Sequence, residues 1–139
     1  MIGSLVTLYA LLASALAPPP KVGAGEVPDL HAIEARIVER TNSQRVRHGL
    51  RPLAVDPWLL RSARRHAAWM TNNRSMTHTS QSVGENIAMG QHSSGEVLNA
   101  WMNSSGHRAN ILNPGYRRIG VAAYTTPEGT IFWCQQFLQ

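Results

Sequence analysis

Hydrophobic positions along this chain recur first without interruption, then at helical spacing, and last in β-rich runs. Met1 to Ala17, MIGSLVTLYALLASALA, carries no charged side chain. Its length suits the apolar region of an export signal and falls short of the roughly 20 residues that a membrane-spanning helix needs. Ala13-Ser14-Ala15 and Ala15-Leu16-Ala17 place small residues at cleavage spacing, although Pro18 disfavours the second and no Lys or Arg follows Met1. We read residues 1–17 as a signal peptide or N-terminal hydrophobic segment, with an uncleaved anchor as the alternative. Residues 18–28, PPPKVGAGEVP, form a Pro/Gly linker that cannot pack a core, so the folded domain spans 29–139.

Within that domain, Leu30, Ile33, Ile37 and Val38 mark a first amphipathic helix, capped by Pro28-Asp29 and stopped before Gly49. A second helix starts more sharply, with Asp56 as N-cap and Pro57 at the first helical position. Leu59, Ala63, Ala67 and Met70 then recur at helical period, and the helix runs to about Asn72. The polar stretch from Asn73 to Ser82 has no period and reads as a loop. A short helix follows from about Gly95 to Met102, then an extra turn through His107 to Leu112, ended by Asn113-Pro114-Gly115. RIGVAAY (118–124) and TIFWCQQF (130–137) are β-rich and joined by the turn TPEG. Helices first and a hairpin last predict an α+β domain, an antiparallel sheet covered by helices.

Charge adds one feature: 13 Lys and Arg oppose 8 Asp and Glu, for a formal net charge of +5. Arg36, Arg40, Arg45, Arg47, Arg61, Arg64 and Arg65 recur along the first two helices and suit anionic partners such as acidic polymers or lipid headgroups. Along the sequence they do not interleave with aromatics as in a single-strand nucleic-acid groove, so no nucleic-acid partner is expected and the arginines read as a solvated helix face. The single cysteine, Cys134, excludes a disulfide framework within the monomer.

Six histidines offer chemistry. His31, His48 and His92 read as surface residues, and His66, set among alanines, as a core histidine satisfied by a hydrogen bond. His78 in MTHTS, Glu85 in VGENIA and His107 in SSGHRAN stand in polar or glycine-containing segments. Two imidazoles and a carboxylate are a known ligand set for zinc or a similar divalent ion, although only the tertiary fold could bring these three together. Nucleophilic alternatives are weaker. Cys134 lies in an apolar strand pattern, where a thiol is buried and inert, and Ser104 and Ser105 lack a nucleophile elbow. Glu85 and Glu96 could form a glycosidase carboxylate pair, but nothing else supports that chemistry.

The ordered blocks NSQRVRHGLRPLAVDPWLLRSARRHAAWM, MTHTS, GENIAMG, AWMNSSGHRANILNPGYRRIGVAA and FWCQQF resemble the bacterial branch of the CAP superfamily, the SCP-like extracellular proteins. The likeness covers about residues 30 to 138. It implies a three-layer α-β-α sandwich with a small antiparallel sheet and a cleft lined by two histidines and two glutamates, which in some members holds a divalent metal, often zinc. His78 and Glu85 match the first histidine and first glutamate of that tetrad. The second glutamate falls here on Ser104, and the strand carrying the second histidine reads Phe132-Trp133-Cys134-Gln135; His107 stands in the GHR of bacterial relatives.

The resemblance thus implies a His78, Glu85, His107 cleft, with Glu96, Ser104 and Asn86 as further cleft candidates. Trp101, Gly84 and Gly106 are the expected structural supports, with Gly106 letting the chain turn so that His107 points into the cleft. It further implies a secreted or cell-envelope protein, a non-catalytic module binding a lipid, sterol, or envelope or host component. A zinc-assisted hydrolase or protease using the same cleft and a structural envelope protein are the alternatives.

Overall fold

The computed structural model describes residues 29–139, so the signal-peptide and linker readings lie outside the described residues. The elements run α1 (Ala32–Arg47), β1 (Ala54–Val55), α2 (Pro57–Asn73), β2 (Gly84–Met89), α3 (Ser94–Met102), α4 (Ser105–Ile111), β3 (Arg118–Thr125) and β4 (Ile131–Leu138). The start of α2 follows its sequence: the Asp56 carboxylate accepts the Leu59 N–H at 2.9 Å, with Pro57 at the first position. α1 starts later than the expected cap at Pro28-Asp29. Its N-cap is His31, whose N–H donates to Glu34 Oε2 at 2.8 Å, while Arg64 of α2 holds the same carboxylate at 2.6 Å. The stop is as expected, with Gly49 at φ +74°.

The four strands form one sheet in the order β1-β3-β4-β2, with β3 and β2 antiparallel to β4. The expected antiparallel sheet is therefore mixed: two-residue β1 adds a parallel edge beside β3. α2 covers one face, burying Ala63, Ala67 and Met70 against Ile87, Ala122 and Phe132. α1, α3 and α4 cover the other, where Ile37, Trp101, Ile111, Val121, Trp133 and Phe137 are buried together. Helices on both faces make the three-layer α+β sandwich.

Two glycines behave differently from each other. Gly120 of β3 sits where α2 crosses the sheet, and a Cβ there would run into the backbone of Leu59 and Leu60. Gly106, which the sequence reading made a turning point, needs no such freedom: a Cβ there meets nothing within 4 Å, its φ is not positive, and α4 passes straight through it. The chain bends instead at Asn103-Ser104, between α3 and α4. Gly120→Ala is expected to cost about 1–3 kcal/mol by overpacking. Gly106→Ala is expected to leave stability unchanged or raise it by up to about 1 kcal/mol, as helical glycines do. Urea titration of both variants checks the pair, and comparable losses in the two would show the packing contrast to be wrong.

The largest departure from the sequence reading concerns Arg45. It is no part of a solvated arginine face, for its side chain is completely buried. Its guanidinium donates to the carbonyls of Arg51 (2.8 Å), Ile111 (2.8 Å), Asn113 (2.9 Å) and Tyr116 (3.3 Å). Ile111 ends α4, so α1 satisfies one of the carbonyls that every helix C-terminus leaves unpaired and anchors the helix that carries His107.

Candidate functional site

The six residues of β2 build the site. As sequence, GENIAM shows no clean alternation, because buried polar residues occupy positions where a strand usually shows apolar ones. Pairing with β4 sets Glu85 opposite Gln136 and Asn86 opposite Gln135. Since strand side chains alternate, Glu85 points toward the α2 layer with Ile87, and Asn86 toward the α1, α3 and α4 layer with Ala88. Gly84 begins the strand where Tyr116 leaves no room, since a Cβ would collide with the phenol hydroxyl. Trp101 pins α3 behind the strand, donating from Nε1 to the Ile87 carbonyl at 3.2 Å.

Glu85 is nearly buried, and both carboxylate oxygens are occupied. Oε1 takes a hydrogen bond from His78 Nδ1 at 2.8 Å and one from the Thr79 N–H at 2.9 Å. Oε2 accepts from Gln136 Nε2 at 2.9 Å and from the Cys134 thiol at 3.6 Å, and His66 Nε2 lies 3.9 Å away. His66 itself bonds the Thr77 carbonyl at 2.6 Å, holding the loop that presents His78, and its ring stacks on Trp69 at 6.0 Å. It is satisfied by a hydrogen bond, as its surroundings suggested, but at the rim of the site and not in the core. His66, Trp69, Thr77, His78, Thr79 and Ser80 line an open groove of about 290 Å³.

A second network holds His107. Its Nδ1 lies 2.9 Å from Ser104 Oγ, and its carbonyl accepts from Asn86 Nδ2 at 3.1 Å. Asn110, one turn further along α4, donates to the Glu85 carbonyl and to Asn86 Oδ1. Asn86 also bonds Gln135, which in turn bonds Thr41 of α1. Partial burial first, and the nearby His78 second, push the His107 imidazole below its ordinary range. The folded state thus holds fewer protons than the unfolded chain just below pH 6.5, and this group weakens folding as the pH falls through that window.

His78, Glu85, His107, Asn86 and Ser104 therefore meet around one end of β2. Glu96 does not: it is exposed, and its carboxylate accepts the His92 N–H at the start of α3. Sequence reasoning missed His66, Gln136 and Asn110. Only Asn110 left a readable trace, one helical turn after His107 in an already suspected helix.

The donor set can be tested against a zinc centre, which needs three protein ligands around one point and an open position. His78 and Glu85 instead touch each other, every Glu85 oxygen is engaged, and among the described residues no three His, Cys, Asp or Glu side chains are grouped to hold an ion. The residues do not fit a three-ligand zinc site. In this arrangement Glu85 orients His78 through its Oε1. Each imidazole is fixed through Nδ1, and neither Nε2 has a hydrogen-bond partner among the described residues.

Cys134 is fully buried, and burial first, with the Glu85 charge second, raises its thiol well above the ordinary value. The protonated thiol is a hydrogen-bond donor to Glu85 and not a nucleophile. Native protein is expected to resist a water-soluble thiol reagent at neutral pH and to react stoichiometrically once unfolded. Rapid labelling of the native protein would contradict this placement.

Comparison with known proteins agrees with the fold. The profile of the Cysteine-rich secretory protein family (CAP) matches residues 38–137. The Bacillus subtilis protein YkwD is 40% identical over 124 residues, covering 77% of this chain and 47% of its own length. A second Bacillus subtilis protein, the membrane protein YlbC, is 32% identical over 63% of this chain and 30% of its own. The chain thus spans less than half the length of these curated relatives. Among solved structures, an extracellular SCP-domain protein of Bacillus anthracis superposes with a TM-score of 0.67 at 31% identity, over 76% of this chain and 40% of that one.

Proposed function

The chain belongs to the Cysteine-rich secretory protein family, CAP, and on that premise we propose that it is a secreted or envelope-associated binding module whose groove beside His78 takes a lipid, sterol, or envelope or host component. The observation that carries this reading is the saturation of Glu85 by four donors. A general base needs a free lone pair directed at a substrate or water. Glu85 has none to spare and instead fixes the wall of a groove. Cys134 is buried and protonated, and although Ser104 Oγ lies 2.9 Å from His107 Nδ1, no carboxylate orients His107 from its other nitrogen, so the site holds no nucleophile–base–acid triad among the described residues. The neighbouring groove combines the Trp69 ring with the polar edges of His78, Thr79 and Ser80, which suits an amphipathic ligand. An extracellular or envelope location is part of the same proposal and is supported by the extracellular Bacillus anthracis relative.

Zinc-assisted hydrolysis is the competing reading, and the full engagement of Glu85 counts against it. Organic extraction of the purified protein, followed by mass spectrometry and binding assays with lipids, sterols and envelope fractions, tests the choice. The binding module predicts a ligand whose affinity falls at least about tenfold in His78→Ala/His107→Ala, a loss of one to two ordinary contacts. Absence of any ligand, together with zinc-dependent hydrolysis abolished by Glu85→Gln, would overturn it.

A further inference from the structure

α2 buries one side against the sheet and leaves the other without a partner among the described residues. At about 100° per residue, Trp58, Arg61, Arg65 and Trp69 fall on that outer side, within one stripe. All four are exposed; Trp58 and Trp69 are 43% and 46% accessible, unlike Trp101 and Trp133, which are buried. Eleven positions at ~1.5 Å rise set the two indoles roughly 16 Å apart along the helix, with both arginines between them. Trp58 and Trp69 thus interleave with Arg61 and Arg65, which corrects the reading of these arginines as free of aromatic neighbours.

The composition is one-sided. α2 contains no Asp or Glu, and neither Arg61 nor Arg65 forms an ion pair among the described residues, whereas Arg64, on the flank, is tied to Glu34. Trp and Arg are common at protein interfaces too, but here the two indoles stand far apart with only cationic side chains between them, so the stripe has no contiguous apolar centre. Indoles prefer the boundary between headgroups and acyl chains, and arginines between them meet phosphates without leaving water.

From this geometry we propose that the outer face of α2 docks flat on an anionic phospholipid surface, with Trp58 and Trp69 seated at the headgroup boundary and Arg61 and Arg65 on lipid phosphates. Charge complementarity selects the partner, as every charged group on the stripe is cationic. The stripe reaches the groove through Trp69, whose ring stacks on His66, so docking sets the groove mouth beside the lipid surface. The docking face does not depend on the groove having a ligand, so either can fail alone.

The test uses the full chain and vesicles of phosphatidylcholine mixed with phosphatidylglycerol, part of the phosphatidylcholine brominated to quench tryptophan. Buried Trp101 and Trp133 serve as internal controls. Fluorescence is expected to be quenched on anionic vesicles and not on neutral ones, and Trp58→Phe/Trp69→Phe to abolish the quenching. Arg61→Gln/Arg65→Gln is expected to raise the lipid concentration for half-saturation roughly 30-fold, the effect of two surface arginines on an anionic membrane. Attachment through residues 1–17 alone would leave that concentration unchanged in the arginine variant and overturn the proposal. Equal quenching on neutral vesicles, or binding to soluble polyphosphate without quenching on vesicles, would overturn it too.

Discussion

Replacing Arg45 by methionine is expected to lower stability by about 3–5 kcal/mol, among the largest effects available to a single substitution. Methionine fills much of the same volume, so the loss comes from hydrogen bonding and not from a cavity. Four donated bonds disappear, leaving the carbonyls of Arg51, Ile111, Asn113 and Tyr116 without their partner. Bonds from a charged donor are worth about 1.5–3 kcal/mol each, and the sum is reduced because the buried guanidinium also stops costing desolvation. Burial, with the neighbouring Arg117 second, pulls the Arg45 pKa below its ordinary value, the direction in which that cost acts. Arg45→Lys keeps the charge but not the planar fork, and should recover less than half of the loss. Thermal unfolding reads the difference as a drop of about 15 °C for methionine. A methionine variant within about 0.5 kcal/mol of wild type, the range of ordinary surface changes, would show that Arg45 is not structural.

The same residue shows where sequence reading stops. Ile37, Thr41 and Arg45 stand four apart and all three are buried, so helical period alone places Arg45 on the inner stripe of α1. What period does not provide is the set of carbonyls, brought together from residues 51, 111, 113 and 116 only by the tertiary fold. α2 was legible down to its cap because Asp56, Pro57 and an apolar stripe act locally. The β3-β4 hairpin was legible for the same reason, its turn closed by Gly129 at φ +92°. Strand β2 was not, because Glu85 and Asn86 replace the apolar residues that announce a strand and are stabilised by partners distant in sequence. The resemblance to CAP proteins named His78, Glu85 and His107. It did not show that Glu85 spends its oxygens on His78, Thr79, Gln136 and Cys134.

Glu85→Ala is expected to cost about 3 kcal/mol and to free His78, whereas Glu85→Gln should cost no more than about 1.5 kcal/mol. Alanine removes the acceptor for Gln136 Nε2 and the Cys134 thiol, both fully buried, and an unsatisfied buried donor costs about 1–3 kcal/mol. The amide is gentler for a particular reason. Its oxygen can serve His78 and Thr79, and its nitrogen would face the Gln136 amide, whose Oε1 is buried and has no hydrogen-bond partner. Rotating the Gln136 amide presents that oxygen to the new donor, so an acceptor now idle absorbs most of the change. The two variants also separate structure from orientation. NMR contacts between the His78 ring and Thr79 should be lost in Glu85→Ala and kept in Glu85→Gln, since the hydrogen bonds that fix both residues run to the Glu85 Oε1, while thermal melts rank the stabilities. Equal losses in the two variants would mean that charge alone, and not the pattern of donors, holds this end of β2. The predicted inequality follows from a site in which the carboxylate is a structural acceptor, the condition under which His78 presents a fixed, uncommitted Nε2 to the groove.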